Sequence, residues 1–222
     1  MKTKLTPLIM SAPMILSLNA GRKTVTRRTS GLDEFGPEAR VVCMNRVDGR
    51  FGVEIAPRPG QITFVPCRYG APGDELWFRE SIRRSPPHEQ GRVAEYIADG
   101  AAAPIEKWIW KNSALPAIHM PEKFCRHRGT LVQGVRVERL LDITEEDAIA
   151  EGLEPRSNFL AAIMKRGGPD GKPDLWRWPG GEVDFPTARE AYLAGWDSLH
   201  GEGHHKLNQL VWRLPFNPRR VQ

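Results

Sequence analysis

Cysteine is scarce in this chain. Cys43, Cys67 and Cys125 are the only three, an odd number at wide spacings. They provide neither a disulfide framework nor the paired spacing of a zinc site, so a reducing cytoplasm is the expected setting. Long apolar runs are also missing, and no segment is long enough to span a bilayer, so no membrane partner is expected. There is no HExxH pair of metal ligands. Gly167-Gly168 and Gly180-Gly181 follow no predicted strand and make poor phosphate loops. Internal repeats and low-complexity tracts are absent. No metal and no cofactor is expected.

Other signals are present. Hydrophobic residues make up 40% of 222 residues, enough for one domain with a substantial core or two small ones. Gly 21 and Pro 19 indicate many loops, while seven Trp and eight Phe argue against disorder. The net charge of +5 and pI near 9.3 suit a polyanionic partner, nucleic acid first, or a merely basic protein. Lys2 and Lys4 before Leu8-Ile9-Met10 imitate an export signal, but Ser11 and Pro13 interrupt the apolar run.

Local patterns predict a short helix from Ser11, with Pro13 in its first turn and Gly21 at its end. An extended stretch follows over 23–28. Asp48-Gly49 predicts a hairpin between strands at 41–47 and 51–56. Segment 57–71 reads as loop, 75–81 as a strand, 92–99 as a weaker one and 101–128 as irregular. Over 130–140, Leu131, Val135 and Val137 alternate inward while Arg136 and Glu138 face water. Thr144 caps a helix that Gly152 ends, with three acids in its first turn. Segment 159–185 reads as an insertion. Thr187-Ala188-Arg189-Glu190 opens a helix with Tyr192, Trp196 and Leu199 as its apolar stripe, and 210–214 is a final strand. Short strands separated by turns predict an α+β protein, a small mixed β-barrel decorated by helices.

Chemistry concentrates in Gly21-Arg22-Lys23-Thr24-Val25-Thr26-Arg27-Arg28. A threonine attacks a carbonyl only when a neighbouring group takes its proton, and a desolvated lysine beside other cations can do so. Lys23 and Thr26 point to opposite faces of a regular strand, so their convergence needs an irregular backbone after Gly21. The same residues could simply grip phosphate. Glu151, at the negative end of its helix, needs a cation, and Lys23 is a candidate. His200, His204 and His205 surround glycines and read as a polar turn rather than a metal pair. Trp77 and Phe78 close to Arg79, Arg83 and Arg84 suit stacking on a base, or core packing for one of the two aromatics.

Four ordered blocks, SAPM…GRKTVTRR, PGDELWFRES, RVERLLDITEEDAIAEGL and WDSLHG before a tryptophan-bearing strand, together resemble the ASCH domain and its long phage-associated relatives. That resemblance covers about half the chain. It implies a PUA-like barrel spanning 1–222, with insertions at about 29–71, 101–128 and 159–185. One branch of the family removes the acyl group from N4-acetylcytidine. Matched to its GRKTxTxR and LTEEHAxxEG segments, the resemblance assigns catalysis to Lys23, Thr26 and Glu151. Substrate binding falls to Arg28, with Trp77 added as an aromatic neighbour. The implied partner is a modified cytosine nucleoside. The alternatives are a non-catalytic RNA-binding module and, third, a ribonuclease.

Overall fold

The computed structural model describes residues 3–86, 93–156 and 175–221. Strand β1 (Leu5–Ile9) leads into helix α1 (Ala12–Asn19) and strand β2 (Val25–Arg28). Strands β3 (Arg40–Val47), β4 (Arg50–Arg58) and β5 (Gln61–Pro66) form a separate antiparallel sheet. Asp48 and Gly49, both at positive φ (49° and 73°), make the tight turn that the Asp-Gly pair predicts. Segment 57–71 is not all loop. β4 runs on to Arg58, and the strand-forming run Ile62-Thr63-Phe64-Val65 pairs back on it as β5.

Then come β6 (Glu75–Arg79), β7 (Ile82–Arg84), β8 (Ala94–Tyr96) and β9 (Ala114–Leu115). The last three form a small sheet of order β8-β7-β9. Trp108 and Trp110, in the stretch expected to be irregular, meet edge to face at 4.9 Å and pack partly buried against its core. Strands β10 (His127–Leu131) and β11 (Arg136–Arg139) precede helix α2 (Glu145–Ala150). Strands β12 (Glu154–Arg156), β13 (Leu175–Arg177) and β14 (Asp184–Phe185) form a third small sheet. Most of the expected 159–185 insertion lies outside the described residues. Helix α3 (Ala188–His200) and the long strand β15 (Leu210–Arg220) complete the chain.

The principal sheet has six strands in the order β1-β6-β10-β15-β11, with β2 also on β15. β1 and β6 are parallel and the other pairs antiparallel. Trp212 is the register partner of both Val137 and Arg28, so β11 and β2 lie on opposite edges of β15. The expected strand over 130–140 is therefore two strands, β10 and β11, that succeed each other along one edge of β15. The sheet curls into a half-barrel, and the molecule is a mixed α+β protein.

Alternation along β15 divides the interior. Leu210, Trp212, Leu214 and Phe216 enter the main core with Leu76, Phe78, α1 and the β3-β4-β5 sheet. Val211 points the other way, into a cluster with Leu140, Ala148, Tyr192 and Trp196 from α2 and α3. Thr144 and Thr187 cap these helices, accepting from the amides of Asp147 and Glu190. Glu145 reinforces the α3 cap by accepting from the Ala188 and Arg189 amides. Leu199 departs from the expected stripe and is 54% exposed. The neighbouring His200, also exposed, stacks on Trp196 with ring centroids 4.2 Å apart.

A buried ionic brace holds β6 to the start of β10. Arg126 grips both carboxylate oxygens of Glu80 at 2.7 Å and reaches Asp99, while its guanidinium lies 4.1 Å over the Tyr96 ring. Neighbouring His127 is buried and its Nε2 has no partner. Burial, aided by Arg126 and Arg220, pushes its pKa down to about 4. The unfolded chain takes up this proton near pH 6.5, whereas the folded chain does so only near pH 4. Stability therefore falls as pH drops through that window. In urea unfolding measured between pH 7 and 4, His127→Gln should show a shallower loss than the parent, and parallel profiles would remove this role from His127.

Candidate functional site

Lys23 precedes β2 at the end of a tight turn. The amides of Arg22 and Lys23 both donate to the Ser17 carbonyl of α1. The Thr24 amide donates to Ala150 at the end of α2, and the Thr24 carbonyl accepts from Phe216 of β15. Because carbonyls alternate along a strand, the Val25 carbonyl points to the opposite edge, where β2 has no ladder partner among the described residues. The Lys23 ammonium lies there. Its Nζ donates to the Val25 carbonyl at 3.0 Å, to the Glu151 carbonyl at 2.9 Å and to Glu151 Oε2 at 2.8 Å. Three acceptors match the three N–H donors of an ammonium.

Both partners are buried, with side-chain exposures of 0% and 2%. Burial lowers the Lys23 pKa, Arg28 and Arg27 lower it further, and the Glu151 carboxylate opposes them. Glu151 is held on its other oxygen by Arg27 Nη1 at 3.2 Å. Arg27 continues to Glu138 and Asp147 at 2.6 and 2.9 Å, and Arg213 binds Asp147 with two hydrogen bonds. Lys23, Arg27 and Arg213 thus interleave with Glu151, Glu138 and Asp147. Burial pushes the Asp147 carboxyl up, and Arg213 and Arg27 reverse this, leaving it below the ordinary range.

Thr26 is buried, at 1% exposure. Its register partner is Leu214, and that of Arg28 is Trp212, so both lie on the main-core face of β2. Arg27, opposite Arg213, lies on the other face with the acids. No hydrogen bond joins the Thr26 hydroxyl to Lys23 among the described residues. The amine occupies neither face of the strand. It sits at the free edge between them, against the peptide that links Val25 to Thr26. The irregular backbone after Gly21 makes this possible by keeping Lys23 out of the strand.

Further along the same edge, β2 and β1 face each other without a backbone ladder among the described residues. Arg28 Nη2 bridges the gap by donating to the Ile9 carbonyl at 2.7 Å. A cavity of about 490 Å³ opens at this seam, walled by Arg28, Arg68, Tyr69, Trp196 and His200. Arg27 also borders it, whereas Lys23, Thr26 and Glu151 do not.

Trp77 does not reach this cavity. It faces away from Leu76 and Phe78, packing with Ile82, Tyr96 and Phe124, and Arg79 lies 5.0 Å over its ring. Strand alternation made one of Trp77 and Phe78 core, and here both are. The expectation that Glu138 faces water is corrected, because its side chain is 9% exposed and serves Arg27. Arg27, a phosphate-gripping candidate in the sequence, is instead taken up by three carboxylates. Arg213 carried a signal of its own, because an arginine inside the apolar run Leu210-Val211-Trp212-Arg213-Leu214 needs a buried partner. Trp196, His200 and Tyr69 carried no local signal for the cavity. His200 stacks on His204 at 5.3 Å, and His205 pairs with Asp197 at 2.7 Å.

Gly152 allows the close packing at Lys23. Its φ is +100°, and an added Cβ would lie 2.8 Å from Ser17 Cβ and 3.0 Å from Lys23 Cβ. Gly152→Ala should lower stability by about 2–4 kcal/mol in urea unfolding, from backbone strain and overlap together. An unchanged midpoint would contradict that packing. No family model, curated protein or solved structure matches the chain.

Proposed function

We propose that this chain is an ASCH-like, PUA-related amidohydrolase that removes the acyl group from N4-acylated cytosine nucleosides, N4-acetylcytidine foremost. The observation that carries this reading is the position of the Lys23 amine. It is buried against Glu151 and against the carbonyl of the peptide that joins Val25 to Thr26, on the edge of β2 that leads to the cavity.

Lys23 Nζ donates to Glu151 Oε2 across 2.8 Å, which holds the amine in place. Burial, aided by Arg28 and Arg27, lowers the Lys23 pKa and so favours loss of an ammonium proton to solvent, which leaves a neutral amine. That amine takes the Thr26 proton as Oγ attacks the acyl carbon. The tetrahedral intermediate collapses by breaking the bond to N4, which receives the proton back from Lys23, and cytidine leaves. Water then hydrolyses the acyl-threonine, releasing acetate and restoring the hydroxyl. Arg28, on the Thr26 face of β2, is the substrate-binding cation at the cavity. The base rests in the cavity against Tyr69, Trp196 or His200, the part first assigned to Trp77.

A non-catalytic RNA-binding module is the second reading, favoured by the cations at the cavity. Product analysis separates the two. Incubation with N4-acetylcytidine should release acetate and cytidine, with or without a chelator. Thr26→Val, which keeps the side-chain shape, should reduce turnover by roughly a thousandfold or more, and Thr26→Ser should retain part of it. Full activity of Thr26→Val would remove the nucleophile from the scheme, and absence of acetate with tight RNA binding would favour the module.

A further inference from the structure

Successive arginines of β2 are treated in opposite ways. Arg27 meets three carboxylates. Arg28 makes no ion pair among the described residues. It donates through Nη2 to the Ile9 carbonyl and to Met10 Sδ, and its buried Nε has no partner. Burial lowers its pKa, and Tyr69, Glu151 and Tyr192 only partly oppose this without any carboxylate in direct contact. A desolvated guanidinium with free donors beside an open cavity is costly unless a ligand supplies the missing acceptors.

The rest of the wall has the same character. Arg68 also lacks an ion pair among the described residues and is tied to Ser30 Oγ at 2.8 Å. Tyr69, buried beside these groups, feels both the Arg28 and the Arg68 charges. Among the described residues, no aspartate or glutamate lines the cavity. Trp196 and His200 supply aromatic surface on the α3 side. A guanidinium presents a planar fork of donors suited to phosphate oxygens, and an aromatic wall suits a base. At about 490 Å³ the space matches a small-molecule site, not a groove that follows several phosphates.

We propose that Arg28 and Arg68 form a phosphate subsite, so that the cavity takes a nucleoside monophosphate in preference to the free nucleoside. This deepens the deacylation reading and takes from it the cytosine base. The cation pair and the aromatic wall stand independently of turnover.

Calorimetry with cytidine 5′-monophosphate and with cytidine tests it on the intact chain. The phosphorylated ligand should bind roughly 10–100-fold tighter, the scale of one or two charge-assisted contacts, and inorganic phosphate should compete with it. Rising salt should weaken the nucleotide and leave cytidine nearly unaffected. Arg68→Gln should bring the ratio of the two affinities toward one, and Arg28→Gln should do the same if it folds. Because Arg68 is exposed at the rim, its variant keeps the test decisive where the Arg28 variant fails to fold. Equal affinities in the parent, or a ratio unchanged in Arg68→Gln, would overturn the subsite. So would a cytidine oligonucleotide that binds far tighter than the mononucleotide. Acetate release from N4-acetylcytidine with equal affinities would leave the deacylation reading standing without the subsite. Arg68-dependent nucleotide binding without acetate release would do the reverse.

Discussion

The carboxylate of Glu151 lies between two buried cations, and the site depends on that arrangement. Its oxygens are divided between Lys23 and Arg27, and its main-chain carbonyl takes another Lys23 proton. A buried charge without a partner is strongly unfavourable, and breaking such a pair typically costs about 3–5 kcal/mol. Each cation therefore fixes the end of α2 against a different part of the chain. Lys23 ties it to the junction of α1 and β2. Arg27, through Asp147 and Glu138, ties it to β15 and β11. The geometry that holds these charges also delivers an amine to the free edge of a strand, a place that ordinary side-chain alternation does not reach.

That edge is free because the half-barrel does not close by main-chain pairing. Arg28 spans the seam between β2 and β1 with a side-chain contact to Ile9, and the cavity occupies the remaining space. A closed ladder would remove the opening, and a wider gap would expose the core around Trp212 and Phe78. One strand thus carries an arginine neutralised by the fold and, next to it, one that is not.

Arg126, Glu80 and Asp99 form a comparable buried ionic group on the other side of the sheet. The chemistry is similar but the setting differs. Arg126 has its fork filled by Glu80, Asp99 and the Tyr96 ring, none of these groups lines the cavity, and the group acts as a brace. What separates the two clusters is the presence of a cation with unused donors at a cavity.

Local chemistry written in the chain determined the helix caps at Thr144 and Thr187, the Asp48-Gly49 turn, the inward alternation of Leu131, Val135 and Val137, and the need of Glu151 for a cation. Each depends on neighbours within a few residues, where backbone geometry is limited and side-chain preferences are strong. The partnership of Lys23 with Glu151 was legible because a carboxylate at a helix C-terminus is unstable alone. Tertiary structure decided the rest. Val25 could present its carbonyl to Lys23 only because β15 occupied the opposite edge of β2. Glu138 became a buried partner instead of a solvated one because Arg27 faces it across the interior. Trp77 went to the core and the cavity took its aromatic groups from α3 and the Tyr69 loop, segments distant in sequence. Such meetings follow from how strands are ordered in the sheet, and strand order is set by long-range packing that no local pattern records.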